Sequence, residues 1–257
     1  MRIATWNVNS LKARLEKVEG WLAEVQPDVL CLQETKCADD AFPALTFAAA
    51  GYEGVHHGEG RWNGVGILSR VGVDDVVAGL GDGAQDPEAR AIAATCGGIR
   101  VVSVYVPNGR EVGHEQWHRK LEWLERLGGL VDQELASGNS LVVAGDFNIA
   151  PDDRDVWNPR AFAGSTHVSP EERAALKALT DRGLIDVFRR HHYADGLFSW
   201  WDYRAGNFHK KKGMRIDLML ASPDLAEASE WALIDRNARK GGAPSDHAPL
   251  VVELAGG

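Results

Sequence analysis

Two hydrophobic periods alternate along the chain. Residues 3–8 read as a strand, and residues 10–25 switch to three- and four-residue steps at Leu11, Leu15, Val18, Leu22 and Val25, the stripe of an amphipathic helix. Ser10 stands where a helix cap is expected and Pro27 where the helix must stop. The next run, Val29-Leu30-Cys31-Leu32, is apolar at every position, which marks a strand covered on both faces. Similar runs predict strands at 64–69, 91–96, 101–106, 141–144, 215–220 and 248–254, and helices at 115–135 and 170–182. Buried strands separated by helices imply sheets with helix-covered faces, and the close pair 91–96 and 101–106 implies antiparallel neighbours, so the sheets are mixed. A layered α/β sandwich is predicted. A weak internal repeat also shows: Ile3-Ala4-Thr5-Trp6-Asn7 and Val142-Val143-Ala144-Gly145-Asp146-Phe147-Asn148 each run a strand into Asn.

Four apolar runs are bounded by ligand-type residues: Trp6-Asn7-Val8-Asn9, Gln33-Glu34-Thr35-Lys36, Gly145-Asp146-Phe147-Asn148 and Ser245-Asp246-His247. A strand that ends in Asn, Asp, Glu or His presents those side chains at the rim of its sheet, where several rims can converge on one hydrated divalent ion. Singly, each has an ordinary reading: Glu34 as a strand-end carboxylate facing water, Gly-Asp-x-Asn as a turn. Together they form an oxygen-rich, thiolate-free set that suits Mg2+, or Mn2+, far better than tetrahedral zinc. Asp146 and Asn148 would project the same way if their strand continued. A carboxylate beside a carboxamide can take a proton from water and steady a phosphate oxygen as charge develops.

Composition narrows the class. No linker, low-complexity stretch or composition shift divides the 257 residues, so one domain spanning 1–257 is expected. The ligand clusters combine only if the two ends of the chain meet. The formal charge of -9 argues against holding nucleic acid by charge excess alone, although carboxylates around a cation contribute to that total without repelling a phosphate substrate. Locally the sign reverses: Arg204, Lys210, Lys211, Lys212 and Arg215 fall in twelve residues without an acid, either a solvated loop or a phosphate-binding face. Cys31, Cys37 and Cys96 are odd in number and lack CxxC spacing, so no disulfide framework is implied and a reducing compartment fits. The first strand begins at once, leaving no room for a signal peptide, and no apolar run reaches about 18 residues. A cytoplasmic protein with no membrane partner is expected; monomer is the default.

The motifs Leu32-Gln33-Glu34-Thr35-Lys36, Tyr105-Val106-Pro107-Asn108-Gly109, Gly145-Asp146-Phe147-Asn148, Gly213-Met214-Arg215-Ile216-Asp217 and Ser245-Asp246-His247 occur in an order and spacing that resembles the exonuclease III family of abasic-site endonucleases. That family belongs to the endonuclease/exonuclease/phosphatase superfamily, and the resemblance covers nearly the whole chain. It implies a four-layered α/β sandwich with two mixed β-sheets flanked by helices. It further implies a metal-dependent DNA-repair nuclease that hydrolyses phosphodiesters at abasic sites and blocked 3' ends of double-stranded DNA to leave a 3'-hydroxyl, with 3' to 5' exonuclease and 3'-phosphatase activity. Glu34 is similar to the principal metal ligand, with Asn7 and Asp246 close by. Asp146, Asn148 and His247 match residues assigned to the metal or to the reaction. In the reaction, Asp146 matches the residue that activates water, Asn148 a transition-state stabiliser, Tyr105 a group near the scissile phosphate, His247 a phosphate contact and Asp217 its orienting carboxylate.

The aromatic segment Trp200-Trp201-Asp202-Tyr203-Arg204 resembles the family's sugar-pocket segment, although a large aromatic is more often core. With Phe208 it surrounds the basic run, and Met214 stands where an apolar side chain can enter the base stack. Arg90, Asn108, Arg110 and Lys210, Lys211 and Lys212 are the phosphate-contact candidates. The chain departs from the family pattern in three places. Asn9 replaces a frequent Asp, Lys211 replaces a frequent Asn, and the 151–170 loop carries Trp157, Phe162 and His167. His167, if it enters the lesion pocket, would leave less room for a flipped abasic sugar and favour frayed 3' ends; a surface histidine is the plainer reading. Competing functions are a 3'-end-processing enzyme with weak abasic incision, a small-molecule phosphatase of the same superfamily, and a catalytically silent DNA-binding protein. A silent relative should lack one of Glu34, Asp146, Asn148, Asp217 or His247, and none is missing here.

Overall fold

The computed structural model describes residues 1–84 and 86–255. In chain order its strands are β1 (Arg2–Asn7), β2 (Val29–Gln33), β3 (Glu53–His57), β4 (Val65–Ser69), β5 (Asp74–Ala78), β6 (Ala91–Cys96), β7 (Ile99–Tyr105), β8 (Leu141–Asp146), β9 (Ile185–Asp186), β10 (Asp217–Ala221), β11 (Ser229–Ile234) and β12 (Leu250–Leu254). The helices are α1 (Leu11–Val25), α2 (Ala44–Ala49), α3 (Glu115–Ala136), α4 (Pro159–Phe162), α5 (Pro170–Asp181), α6 (Val187–His191) and α7 (Pro223–Ala228). They build two six-stranded sheets, ordered β11-β12-β1-β2-β4-β3 and β5-β6-β7-β8-β10-β9. Each is mixed: β1 runs parallel to β2 and β7 parallel to β8, and the other pairings are antiparallel.

The period of two along each strand divides the core into layers. On β2, Val29 and Cys31 face the second sheet among Ile92, Val142 and Met219, while Leu30 and Leu32 face outward with Trp6, Val18 and Leu22 under α1. In the second sheet Val102, Val104, Val143 and Leu218 turn away from the first and are covered by Leu124, Leu127 and Val131 of α3 and Leu176 of α5. Helix, sheet, sheet and helix therefore stack as four layers, as expected from the sequence.

All eight interior strands fall where the apolar runs place them, to within a few residues at their ends. The four strands without a sequence signal, β3, β5, β9 and β11, are the four sheet edges. An edge strand is solvated along one side, so it carries charges, and β5 (Asp74, Asp75) and β3 (Glu53, His56, His57) show no continuous apolar run. The internal repeat is real in topology but pairs differently from the sequence hint. The parallel pair β1/β2 corresponds to β7/β8, so Glu34 after β2, and not Asn7, is the counterpart of Asp146 on β8.

Two helix starts differ. The side chain of Ser10 makes no capping hydrogen bond; Ser10 and Leu11 instead donate their N–H groups to the carbonyls of Glu34 and Thr35 at 2.7 and 2.9 Å. The start of α1 is thereby tied to the loop after β2. Ser169 and Glu172 form a reciprocal capping box on α5.

Gly145 sits at φ 156°, and a Cβ there would lie 1.9 Å from the Val104 carbonyl oxygen on the neighbouring strand. Gly145→Ala should therefore force β7 and β8 apart and destabilise the fold by roughly 1–3 kcal/mol, as overpacking does. An unchanged urea midpoint would show that the strands yield freely.

Candidate active site

The ends of β1, β2 and β8 and the segment before β12 meet at one rim of the sandwich. Asn7, the last residue of β1, stands at the centre. Its Nδ2 donates to Glu34 Oε1 at 2.9 Å and to Asp146 Oδ2 at 3.0 Å, and its Oδ1 accepts the Asn9 N–H at 3.0 Å. One carboxamide thus links a carboxylate from each sheet. Glu34 lies just past β2 at φ 49°, a left-handed turn that swings its side chain back toward β1. Its second oxygen pairs with Lys36 Nζ at 2.8 Å, and Lys36 also donates to Asn9 Oδ1 at 2.6 Å. Ser245 ties the last segment to the first strand through its Oγ, which donates to the Asn7 carbonyl at 2.7 Å and accepts the His247 N–H at 3.1 Å.

His247 is buried between two carboxylates. Its Nδ1 faces Asp217 Oδ2 at 2.8 Å, and its Nε2 lies 3.7 Å from Asp146 Oδ2. Because Asp217 can only accept when ionised, the proton sits on Nδ1 and Nε2 faces the cavity. Burial alone would lower the imidazole pKa, but Asp217 and Asp146 outweigh it and push it up to about 10. With a carboxylate on either side, His247 is suited to donate to a phosphoryl oxygen. Burial pushes Asp146 the other way, up to about 7, with the His247 charge opposing the rise. Near neutral pH such a carboxylate is poised to take a proton.

Glu34, Asp146 and His247 line a cavity of about 180 Å3 together with Tyr105, Asn108, Asn148, His167, Trp200, Ile216 and Asp246. Ligand atoms of Glu34, Asp146 and His247 all lie within 4.8 Å of one another. The carboxylate oxygens there fit a hard divalent cation. Asp246 also faces the cavity, with Oδ1 accepting from Asn9 Nδ2 at 3.0 Å and Oδ2 from Trp200 Nε1 at 3.1 Å.

The opposite wall is amide-rich. Asn148 turns off β8 at φ 51°, so it does not share a strand face with Asp146 as continued pleating would require. Instead its N–H donates to Asp146 Oδ1 at 2.9 Å, and its Nδ2 donates to the Val106 carbonyl at 2.9 Å, leaving one amide hydrogen toward the cavity. Asn108 Nδ2 reaches Asn148 Oδ1 at 3.3 Å and His167 Nε2 at 3.5 Å. His167 does enter the cavity lining; burial and the nearby Lys120 charge hold its imidazole down at about 4, so it is neutral. Tyr105 faces the same space, and burial with the Glu34 and Asp146 charges keeps its phenol protonated.

The DNA-contact candidates divide. Lys210, Lys211, Asn108 and Arg110 are exposed. Lys210 and Lys211 line a groove of about 610 Å3 with Arg154 and Trp157, and Lys212 Nζ stacks 4.5 Å from the Trp157 ring. Phe208 is half-buried, packed edge-on against Trp201 at 5.0 Å. Four expectations are corrected. Trp201 and Met214 are each 1% exposed: the first packs under Arg239 as core and not as sugar-pocket wall, and the second pairs its backbone with Trp200 and is not placed to enter a base stack. Arg90 is also buried, ion-paired to Glu88 at 2.7 Å and stacked 4.8 Å from the Tyr105 ring, where it supports Tyr105 instead of meeting phosphate. Arg215, counted in the basic run, is buried against Asp155 and Asp186 at 2.7 and 2.8 Å.

Sequence reasoning named Lys36 and Ser245 only as members of their motifs, with no role of their own, and missed Lys120 and Glu172. Of the last two, only Lys120 carried a signal: it interrupts the stripe Trp117, Leu124, Leu127 and Val131 at a position that periodicity assigns to the buried face of α3.

Residues 4–247 match the model of the Endonuclease/Exonuclease/phosphatase family. Exodeoxyribonuclease III of Haemophilus influenzae is 34% identical over 99% of this chain and 100% of its own length. Among solved structures, the 3'-5' exonuclease NExo from Neisseria meningitidis superposes with a TM-score of 0.97 at 41% identity, covering 99% of each chain. A further Neisseria structure, described as the 3' phosphatase NExo bound to a product DNA hairpin, gives 0.97 at 40%, again covering 99% of each chain. An AP endonuclease from Archaeoglobus fulgidus gives 0.96 at 37%, covering all of both chains.

The charge pattern predicts a bell-shaped pH–rate profile. Activity rises through about pH 7 as Asp146 loses its proton and falls above about pH 10 as His247 loses its own, with added divalent cation moving the acid limb lower. Asp217→Asn removes a charge that holds the imidazole proton, so the alkaline limb should move down by roughly 1–3 pH units. An alkaline limb that stays in place would take Asp217 out of that role.

Proposed function

The chain belongs to the endonuclease/exonuclease/phosphatase family, whose members of this type are metal-dependent phosphodiesterases, and on that premise we propose that it is a DNA-repair nuclease specialised for 3' ends of double-stranded DNA. The observation that carries the specialisation is His167 in the wall of a cavity of only about 180 Å3. Relatives described as 3'-5' exonuclease, 3' phosphatase and AP endonuclease bracket the range of substrates. Abasic duplex is the second substrate, handled less well because an extruded sugar and the imidazole compete for one space.

The reaction is in-line attack of water on phosphorus, breaking the bond to the 3' oxygen and leaving a 3'-hydroxyl. Asp146 accepts the proton of the attacking water. His247 donates from Nε2 to a phosphoryl oxygen, with Asp217 fixing the ring, and the free amide hydrogen of Asn148 meets charge on the same group. The Tyr105 hydroxyl, held protonated, donates near the scissile phosphate. Glu34, with Asp146, Asn7 and Asp246 around it, would hold a Mg2+ or Mn2+ ion, which would supply Lewis-acid neutralisation of phosphoryl charge. Arg110, Lys210, Lys211 and Lys212 hold the DNA backbone with no base specificity. The whole chain acts as one domain, and as a monomer; in support of one domain, the site joins Asn7 to His247. No helix among the described residues is long and apolar enough to cross a membrane, which agrees with a protein free to reach DNA.

The test is cleavage of end-labelled duplexes carrying a 3'-phosphate or an internal abasic-site analogue, with Mg2+ and with chelator. Removal of the 3'-phosphate that is faster than abasic incision and abolished by chelator is expected. Abasic incision as fast as 3' processing would refute the specialisation, and inactivity on both would turn the reading to a small-molecule phosphatase. In the same assay His167→Gly should raise abasic incision on the order of 10-fold, about the value of one well-placed contact. No gain would clear His167 of the filtering role.

A further inference from the structure

The cavity wall formed by Asn108, Asn148 and His167 rests on an ion pair that no solvent reaches. Lys120 and Glu172 have side chains 0% exposed, and Lys120 Nζ meets Glu172 Oε1 at 2.5 Å. The other hydrogen bonds of both side chains lead to the wall. Lys120 donates to the carbonyl of Asn148 at 2.7 Å and of Asn108 at 3.3 Å. Glu172 Oε1 accepts from the His167 N–H at 3.0 Å and from Thr166 Oγ1 at 2.9 Å, and Thr166 Oγ1 lies 3.1 Å from the Asn108 carbonyl. Its Oε2 accepts from Ser169 Oγ at 2.6 Å, which anchors the pair to the start of α5.

Asn148 and His167 stand at φ 51° and 73°, left-handed turns that Asn and His adopt more readily than most non-glycine residues. Lys120 and Glu172 hold the backbone of both turns from behind, through the Asn148 carbonyl and the His167 N–H. Gly109 lets the lysine stem pass: a Cβ there would meet Thr166 Oγ1 at 2.9 Å and Lys120 Cδ at 3.3 Å. The Asn148 carbonyl also receives His167 Nδ1 at 2.5 Å, and a carbonyl only accepts. The imidazole is therefore held as its Nδ1–H tautomer, with the Nε2 lone pair toward Asn108 Nδ2.

We propose that the buried Lys120–Glu172 ion pair is a positioning device of this active site, which fixes the Asn108–Asn148–His167 wall through its backbone and so sets both turnover and the choice between a 3' end and an extruded abasic sugar. The second half rests on the 3'-end reading above; the first does not. Neither residue touches substrate.

The test is the paired substitution Lys120→Met with Glu172→Gln, which removes both charges together and leaves no unpaired ion buried. Lys120→Gln with Glu172→Gln, equally uncharged but able to hydrogen-bond, serves if the first pair does not fold. Two readouts are made. In long-range 1H–15N spectra of the imidazoles, His167 should show one fixed tautomer in the native protein and averaging in the variant. On 3'-phosphate DNA the variant should lose kcat on the order of 10–100-fold at nearly unchanged KM, as misplacement of catalytic groups does, and its abasic to 3'-phosphate rate ratio should rise. A variant with lower stability but native tautomer, kcat and rate ratio would overturn the proposal and leave the pair a plain core contact. Because the tautomer needs no substrate, a native protein inactive on 3' ends whose variant still loses the fixed tautomer overturns the nuclease reading and upholds the positioning role.

Discussion

Everything at the catalytic rim depends on the Asn7 carboxamide. Two carboxylates, Glu34 from the end of β2 and Asp146 from the end of β8, belong to different sheets and would repel one another if simply brought together. Asn7 donates one amide hydrogen to each, at 2.9 and 3.0 Å, and its oxygen closes the turn at Asn9. A lysine in that place would neutralise the charge a cation needs; an apolar residue would remove a donor from one oxygen of each acid, Glu34 Oε1 and Asp146 Oδ2, which is costly for buried oxygens. A neutral group with two donors holds both acids and cancels neither.

The surrounding charges follow from that arrangement. Lys36 takes the outer oxygen of Glu34, His247 stands against Asp146, and Asp217 stands behind His247. Acid and base alternate through the site, so a cation and a phosphate can both approach without either meeting its own sign alone. The same division explains how a chain of net charge -9 acts on a polyanion. Glu34, Asp146, Asp217 and Asp246 gather at the rim, whereas Lys210 and Lys211 lie exposed in a separate groove.

The aromatic and basic segment before β10 is half framework and half surface. Arg215 is locked between Asp155 and Asp186, and Trp201 lies under Arg236 and Arg239, which stack 5.5 and 5.3 Å from its ring. Buried Arg215 braces the 151–157 loop against the 199–217 segment, and buried Arg239 holds Trp201 and Phe208 of that segment from the 236–239 turn. Only on such a brace can the lysines and Trp157 present a defined groove.

The sequence by itself determined the layers and the interior of both sheets, because a strand buried on both faces must be apolar throughout and a helix over it must carry a 3.6-residue stripe. Edge strands β3, β5, β9 and β11 escaped it, since one side of an edge meets water and local composition no longer reports pairing. The ligand types at Asn7, Glu34, Asp146, Asp246 and His247 were legible because acids and amides at the ends of apolar runs have few other uses. What only the tertiary structure decided was which side chains face the cavity. Arg90, Trp201 and Met214 are residue types found at DNA interfaces, yet burial turned them into supports; Lys120 and Glu172 are surface types, yet mutual pairing allowed them inside. Composition specifies what a side chain can do, and exposure, which depends on contacts between residues as far apart as Asn7 and Ser245, decides what it does.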